Sequence, residues 1–98
     1  MIKFETFEIL DGKATLIEFK IEGGITTPEE AFSVELPEVP LNRGVILSGR
    51  APIWFYGRLI HHYHPAKWVA VYDPRLGAVV VQSHTPEVKE GDIIPFLR

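Results

Sequence analysis

Residues 44–73 contain two short apolar runs on either side of a helical pattern, and this order limits the possible folds more than any other feature. The first run, at 44–48, has no polar alternation, which is typical of a strand buried on both faces. The second run, at 67–73, is rich in valine and aromatic residues. Two such strands in one sheet, joined by a helix, run parallel, so we predict a strand–helix–strand crossover.

The connecting segment at 52–63 has the spacing of an amphipathic helix. Pro52 suits the first turn of a helix because its missing N–H is not needed there, and Pro65 ends the pattern. Apolar residues three or four positions apart predict one buried face, formed by Ile53, Tyr56, Ile60 and Tyr63.

The first forty residues read as a β-hairpin followed by a connector. The dipeptide Asp11-Gly12 is a strong hairpin-turn signal, and it lies between two stretches in which apolar and polar residues alternate. In the first stretch the alternation slips near Thr6, which predicts a β-bulge. Three prolines between residues 26 and 40 predict a loop with at most one short helical turn, after Pro28.

The segment after the second apolar run predicts another hairpin. Asp73 suits the first position of a turn, Pro74 the second, and Gly77 ends it. Residues 78–83 then return as an antiparallel strand, and a turn at 90–92 precedes a short edge segment. The sequence predicts one small α/β domain over residues 1–98, with a mixed sheet of five or six strands and one principal helix.

Composition excludes several classes of protein. The 98 residues are 46% apolar and 23% charged, an ordinary globular balance that argues against a disordered tail or a coiled coil. Without cysteine, the chain has no disulfide, thiolate nucleophile or cysteine-bound zinc. No apolar run reaches the ~18–20 residues that cross a bilayer, and no signal peptide is recognisable. We therefore expect a soluble cytoplasmic protein without a membrane partner.

The net charge of −3 averages two unlike parts of the chain. Residues 1–40 carry three lysines against nine acids, whereas residues 43–84 carry five basic residues against Asp73 alone. All four histidines, both tryptophans and all three tyrosines also lie within 43–84. This pattern indicates a local site for an anion, with the acidic first part as framework, rather than a broad surface for nonspecific RNA binding. Chance asymmetry in a short chain is the alternative.

The tripeptide Ser48-Gly49-Arg50 follows the first buried strand and is expected to open the helix. Ligands bind in that crevice of open α/β sheets, where free helix N–H groups attract phosphate. A ligand would approach the backbone of Gly49 closely, and it would bind the hydroxyl of Ser48 and the guanidinium of Arg50. The tripeptide is neither a dinucleotide fingerprint nor a Walker loop. A plain strand-to-helix turn with a solvated arginine is the alternative.

Four later residues carry catalytic chemistry: His64, Asp73, Arg75 and His84. Imidazoles act as acids and bases near neutral pH, and a carboxylate at the end of a buried strand can hold a divalent cation. Arg75 is not required by its turn, and together these groups are suited to phosphodiester cleavage. The alternatives are structural, because a helix C-terminus favours histidine and a type I turn favours aspartate.

The predicted hairpin separates these four residues into two pairs. If 67–73 and 78–83 are antiparallel, His84 lies opposite about Ala66 and shares one end of the sheet with His64. Asp73 and Arg75 then lie at the other end, a separation approaching ~20 Å at ~3.3 Å per residue. Either the two pairs have separate roles, or a second subunit completes the site.

The stretches GVILSGRAPIW (44–54), HPAKWVA (64–70), DPRLG (73–77) and VVVQSH (79–84) together resemble the small CRISPR-associated ring nucleases of type III systems, the family called Csx-three. The resemblance implies a fold related to the CRISPR-associated Rossmann fold and a homodimer. It also implies binding of cyclic tetra-adenylate or short A-rich RNA rather than DNA, and cleavage with Mn²⁺. In that family two dimers enclose the substrate, and cleavage switches off the second messenger of the antiviral response.

The same resemblance implies roles for individual residues. The ring phosphates would be bound by Ser48, Gly49 and Arg50. Catalytic positions would be His64, Asp73, Arg75 and His84, with the metal at Asp73 and His64. A dimer that binds cyclic oligoadenylate or an RNA tetranucleotide as a sensor, without cutting, is the alternative.

Overall fold

Six strands and two α-helices account for most of residues 1–95, the part of the chain that the computed structural model describes. In chain order the elements are β1 (Ile2–Ile9), β2 (Ala14–Ile21), a single 3₁₀ turn (Glu22–Gly24), α1 (Pro28–Ser33), β3 (Gly44–Arg50), α2 (Ile53–His62), β4 (Trp68–Asp73), β5 (Gly77–Ser83) and β6 (Ile93–Ile94). The predicted hairpins, the single short helix after Pro28, the principal helix and the last edge strand are all confirmed.

The strands form one sheet in the order β1-β2-β3-β4-β5-β6. Pairing is parallel from β2 to β3 and from β3 to β4, and antiparallel elsewhere, so the predicted mixed sheet and parallel crossover are confirmed. The fold is a small α/β domain, and its likeness to the Rossmann fold stays a prediction.

The predicted bulge near Thr6 is wrong. Residues of β1 and β2 pair without interruption from Ile2↔Ile21 to Ile9↔Ala14. The register instead shifts between β4 and β5, next to Val69 and Ala70. The alternation in β1 slips because Phe4 packs on one face of the sheet and Ile9 on the other, so both faces take apolar residues from the same strand.

The two faces of the sheet bury different clusters. The helix face packs against α1 and α2 and includes Ile17, Phe19, Val45, Leu47 and Val69. Among residues 1–95 no helix packs on the opposite face, which buries a smaller set, namely Leu16, Ile46, Trp68, Ala70, Ala78 and Val80. Because side chains alternate along a strand, every residue of β2 and β3 can be assigned to one of these faces.

Tyr63 is confirmed as part of the buried face of helix α2, but the rest of that face differs from the prediction. Phe55, Leu59 and Tyr63 are buried, whereas Ile53 is 89% exposed and Tyr56 and Ile60 are only partly covered. The helix is apolar on most of its circumference, so its sequence offers two stripes at helical spacing. The sheet buries the stripe that contains Phe55, and the ring of Phe19 contacts both stripes, at 5.6 Å from the Phe55 ring and 5.2 Å from the Tyr56 ring.

Side-chain hydrogen bonds fix both ends of α1. The hydroxyl of Thr27 accepts the backbone N–H of Glu30 at 3.2 Å, the usual capping contact of a helix N-terminus. At the other end, the guanidinium of Arg58 donates to the carbonyl oxygens of Ala31 and Val34 at 2.6 and 3.1 Å. Arg58 thereby joins the two helices. Within residues 1–95, no helix is long and apolar enough to span a membrane.

Candidate functional site

Ser48, Gly49 and Arg50 belong to strand β3 and not to the start of a helix. Their backbone pairs with Glu18, Phe19 and Lys20 of β2, and α2 begins only at Ile53 with Pro52 as its N-cap. The prediction that the tripeptide opens the helix and presents free helical N–H groups is therefore wrong. Gly49 pairs with Phe19 of β2, so the strand continues through it to Arg50 instead of changing to a helix.

The space around Gly49 explains why it has no side chain. A Cβ atom there would lie 2.4 Å from the carbonyl oxygen of Phe19 and 2.6 Å from its ring, both on the helix face. The hydroxyl of Tyr56 also accepts the Gly49 N–H at 3.1 Å and donates to the Gly49 carbonyl. Gly49 is thus explained by packing, and its predicted contact with a ligand stays a prediction.

Ser48 and Arg50 point the other way and line a pocket on the opposite face. They have the same parity in β3 as Ile46, which lies in the opposite-face cluster. The pocket is open, has a volume of about 880 Å³, and lies over the ends of β1, β2 and β3. Its polar lining includes Lys3, Glu5, Glu18, Lys20, Ser48 and Arg50, and its rim includes Gly23 and Gly24.

Three cations of this pocket lie in one row across neighbouring strands. Lys3 of β1 is directly opposite Lys20 of β2, and Lys20 is directly opposite Arg50 of β3. We call Lys3, Lys20 and Arg50 the cation row. One row further in, Glu5 is opposite Glu18, and Glu18 is opposite Ser48. Within this pocket, the positive charge therefore lies at the end of the sheet where strands β2 and β3 terminate.

Asp73 and Arg75 form a compact pair in the β4–β5 turn. The Asp73 Oδ1 atom accepts the backbone N–H of Arg75 at 2.7 Å and lies 3.7 Å from its Nε atom. The side chain of Arg75 is 89% exposed, whereas that of Asp73 is 30% exposed. The turn therefore holds the carboxylate in place, beside a guanidinium that is largely exposed to solvent. This hairpin turn was predicted from the sequence and is confirmed.

His64 and His84 form a second pair at the other end of β4 and β5. Their ring centroids are 5.1 Å apart, and the rings meet edge to face. The His84 Nε2 atom lies 2.9 Å from the carbonyl oxygen of His64, which also accepts the Gln82 amide at 2.6 Å. Because a carbonyl only accepts, Nε2 of His84 carries the proton, and in the neutral ring Nδ1 is the free acceptor.

The two pairs lie at opposite ends of β4. The backbone N–H of His84 donates to Lys67, so His84 is level with the start of β4, one residue from the predicted position opposite Ala66. Asp73 ends the strand, and the five steps from Trp68 to Asp73 span roughly 16 Å at ~3.3 Å each. The predicted separation of His64 from Asp73 within one chain is confirmed.

Neither pair forms part of a metal-binding group within the described residues of one chain. Among residues 1–95 there is no group of three or more histidine, aspartate or glutamate side chains that could hold a metal ion. The two predicted ligands, His64 and Asp73, lie at opposite ends of β4, so they do not converge within one chain. One chain alone therefore does not fit the Mn²⁺ site that the resemblance implies.

Lys20 and Lys3 are pocket residues that the sequence reasoning missed. The signal was present, because alternation in β2 places Lys20 on the face opposite Phe19 and Ile21. What was absent was the pairing of β2 with β3, since only the parallel pairing of β3 with β4 was predicted. The β2–β3 register brings Lys20 beside Arg50.

Comparison with known proteins identifies the family. The model of the family described as CRISPR-associated protein (Cas_csx3) matches residues 18–95, which contain every predicted site residue. A protein of Aquifex aeolicus (strain VF5), known only as an uncharacterized protein, is 47% identical over 92 residues, which cover 89% of this chain and 82% of the relative. The chain therefore belongs to the CRISPR-associated Cas_csx3 family.

Proposed function

We propose that this protein is a ring nuclease that binds and cleaves cyclic tetra-adenylate, and trims short A-rich RNA, to switch off type III CRISPR signalling in the cytoplasm. It acts as a homodimer, and two dimers stack around the substrate. Family membership supports the CRISPR context. The substrate, the cleavage and the assembly are proposals that rest on the residues of the chain.

The observation that carries the proposal is the position of the two polar pairs. The two pairs have the chemistry of phosphodiester cleavage, yet they lie at opposite ends of strand β4. His84 and His64 are near its start, and Asp73 and Arg75 are at its end. Groups at opposite ends of one strand can act on the same phosphate when two copies of the protein bind the ligand. One copy then supplies the histidine pair and the other supplies Asp73 and Arg75. A cyclic ligand with repeated phosphates suits such an arrangement, because it presents equivalent groups to several copies.

Binding is supported by the pocket on the opposite face. The pocket of about 880 Å³ is near the upper end of the range for small-ligand sites, and it is open, so a larger ring could extend out of it toward another copy. Arg50 and Ser48 supply a guanidinium and a hydroxyl at its wall, and both groups are suited to phosphate oxygens.

The catalytic groups divide the chemical work. Arg75, exposed beside the fixed carboxylate of Asp73, would neutralise the negative charge that develops on the phosphate. Nδ1 of His84 is free to accept a proton, and His64 would serve as its partner acid or base. The proton comes from water or from a ribose 2′-hydroxyl.

Mn²⁺ enters this proposal only through an assembly. Since one chain does not bring His64 and Asp73 together, we propose that donors of two copies hold the ion. Bound there, manganese would supply Lewis-acid stabilisation of the phosphate. Asp73 is the stronger candidate ligand, because only its Oδ1 atom is engaged by Arg75.

The test uses labelled cyclic tetra-adenylate with and without Mn²⁺. We expect the unaltered protein to cleave it with Mn²⁺, and Asp73→Ala and His64→Ala each to lose activity by ~10²-fold or more. His61→Ala is the matched control, because this exposed histidine also lies near the end of α2 and should leave activity unchanged.

Mixing the two inactive variants tests the shared site. A mixture of Asp73→Ala and His64→Ala proteins should recover part of the activity, because each supplies the group that the other lacks. Failure to recover activity would overturn the shared site. Failure of the unaltered protein to cleave the ring would overturn the nuclease proposal.

One observation favours the second candidate, a sensor that binds the ring without cutting. Lys3, Lys20 and Arg50 of a single chain line the pocket together, whereas the two catalytic pairs do not converge within one chain. Binding by the unaltered protein without turnover, under every metal condition tested, would establish the sensor in place of the nuclease.

A further inference from the structure

We propose that Lys20 is a phosphate-binding residue, which together with Arg50 holds the sugar–phosphate backbone of the ligand across strands β2 and β3. The identity of the ligand rests on the proposed function, but the site itself rests on the charges and register of the chain. The ligand class is a phosphodiester or polyphosphate with at least two negative charges in reach of neighbouring strands.

The cation row places like charges opposite one another, and this arrangement costs free energy in the unliganded protein. Residues directly opposite on adjacent strands have side chains close together, and like charges at such positions are destabilising. Lys20 has Lys3 on one side and Arg50 on the other. A bound anion would offset the repulsion that this row imposes on the free protein.

Two of the three cations have no side-chain partner within the described part of the chain. Lys3 is paired with Glu22, whose carboxylate lies 3.8 Å from the Lys3 Nζ atom. Among residues 1–95, neither Lys20 nor Arg50 makes a side-chain hydrogen bond or an ion pair, and both side chains are exposed. The unneutralised charge of the row is therefore concentrated on Lys20 and Arg50.

The position of the cation row also favours an anion site. Lys20 and Arg50 line the same pocket, at the end of the sheet where strands β2 and β3 terminate. Glu5 and Glu18 occupy the next row inward. The exposed carboxylate of Glu5 repels an anion from the middle of the sheet, so it sets the inner boundary of the proposed site next to Lys20 and Arg50.

Calorimetric titration with two probes tests this assignment: cyclic tetra-adenylate and inorganic tripolyphosphate, which carries charge but no base. We expect Lys20→Ala to weaken binding of both probes by ~10-fold, the size of one charge-assisted contact. The slope of log affinity against log salt for cyclic tetra-adenylate should fall by ~0.7, as for one single-stranded phosphate contact. Lys3→Ala should weaken binding less because Glu22 already pairs with Lys3, and Lys89→Ala, an exposed lysine in the loop before β6, should have no effect.

The stability of the free protein separates binding from a structural role. Lys20→Gln relieves like-charge repulsion, so its melting temperature at low salt should equal or exceed that of the unaltered protein while its affinity falls. Lower stability together with unchanged affinity would overturn the assignment.

The outcomes also distinguish this inference from the proposed function. Tripolyphosphate binding that depends on Lys20, without any binding of cyclic tetra-adenylate, supports the site and overturns the proposed ligand. If binding of cyclic tetra-adenylate requires Arg50 but is unchanged in Lys20→Ala, the proposed function is supported and the role of Lys20 is overturned. Binding of neither probe overturns both.

Discussion

Replacing Tyr56 by phenylalanine tests how strand β3 is held at its pocket end. Strand β4 pairs with β3 only from Val45 to Leu47, so the end of β3 lacks a strand partner on that side. The Tyr56 hydroxyl bonds both backbone polar groups of Gly49. Burial raises the pKa of Tyr56, with the hydrogen bond to Gly49 acting weakly in the other direction, so the group remains a neutral hydroxyl at neutral pH.

The expected cost follows from the number of bonds lost. Each net hydrogen bond contributes ~0.5–1.5 kcal/mol, so Tyr56→Phe should lower the free energy of unfolding by ~1–3 kcal/mol. The ring contact with Phe19, at 5.2 Å between centroids, is retained in phenylalanine. Tyr63→Phe is the matched comparison, because that hydroxyl donates a single bond, to the Pro37 carbonyl at 2.6 Å. It should cost about half as much.

Urea unfolding of both variants gives the two free energies, and hydrogen exchange locates the effect. The Gly49 amide should exchange about tenfold or more faster in Tyr56→Phe, while the amides of Val45 and Ile46 in the centre of the sheet keep their protection relative to global stability. A cost for Tyr56→Phe no greater than that of Tyr63→Phe would refute the reasoning. An unchanged exchange rate at Gly49 would refute it as well.

Two further predictions concern packing and pH. Gly44→Ala should destabilise the protein by ~1–3 kcal/mol in urea unfolding, because a Cβ there would lie 2.0 Å from the Cε2 atom of the buried Trp68; a cost near zero would mean that the ring moves freely. Burial raises the pKa of Tyr63 to about 12, with the charge of Arg58 opposing weakly. Because the unfolded chain ionises this tyrosine near ~10, stability should fall as pH rises from there through the folded value, and Tyr63→Phe should lack that part of the decline when unfolding is measured across the same pH range.

Local sequence signals predicted the positions of the helices and strands better than they predicted which residues of those elements are buried. The turn at Asp11-Gly12, the prolines and the apolar runs depend on short-range chemistry, and the structure follows them. The buried stripe of α2 depends on how the helix packs on strands that are distant in sequence, where Phe19 contacts both Phe55 and Tyr56. The bulge predicted near Thr6 failed for a similar reason, since β1 contributes to two clusters and its apolar phase changes between them.

The candidate site divides in the same way. The pairing of His64 with His84 and the distance of both from Asp73 were predictable, because a tight hairpin sets the register of β4 and β5 to within the one-residue shift next to Val69 and Ala70. The composition of the pocket was not, because it depends on β2 lying beside β3. Those strands are far apart in sequence, and only their register shows that Lys20 is opposite Arg50.

The charge of a segment is therefore a poor guide to the charge of a site in a sheet protein. Residues 1–40 are strongly acidic, and the sequence assigned them to framework. Two of their three lysines nevertheless line the pocket over the ends of β1, β2 and β3, since alternation along β1 and β2 turns Lys3 and Lys20 to the opposite face. Five of the nine acids, at positions 22, 29, 30, 35 and 38, follow β2 in the connector that leads to β3. The field at the pocket depends on which side chains share a face and a row, so neutralising an acid in α1 should change anion affinity far less than neutralising Lys20.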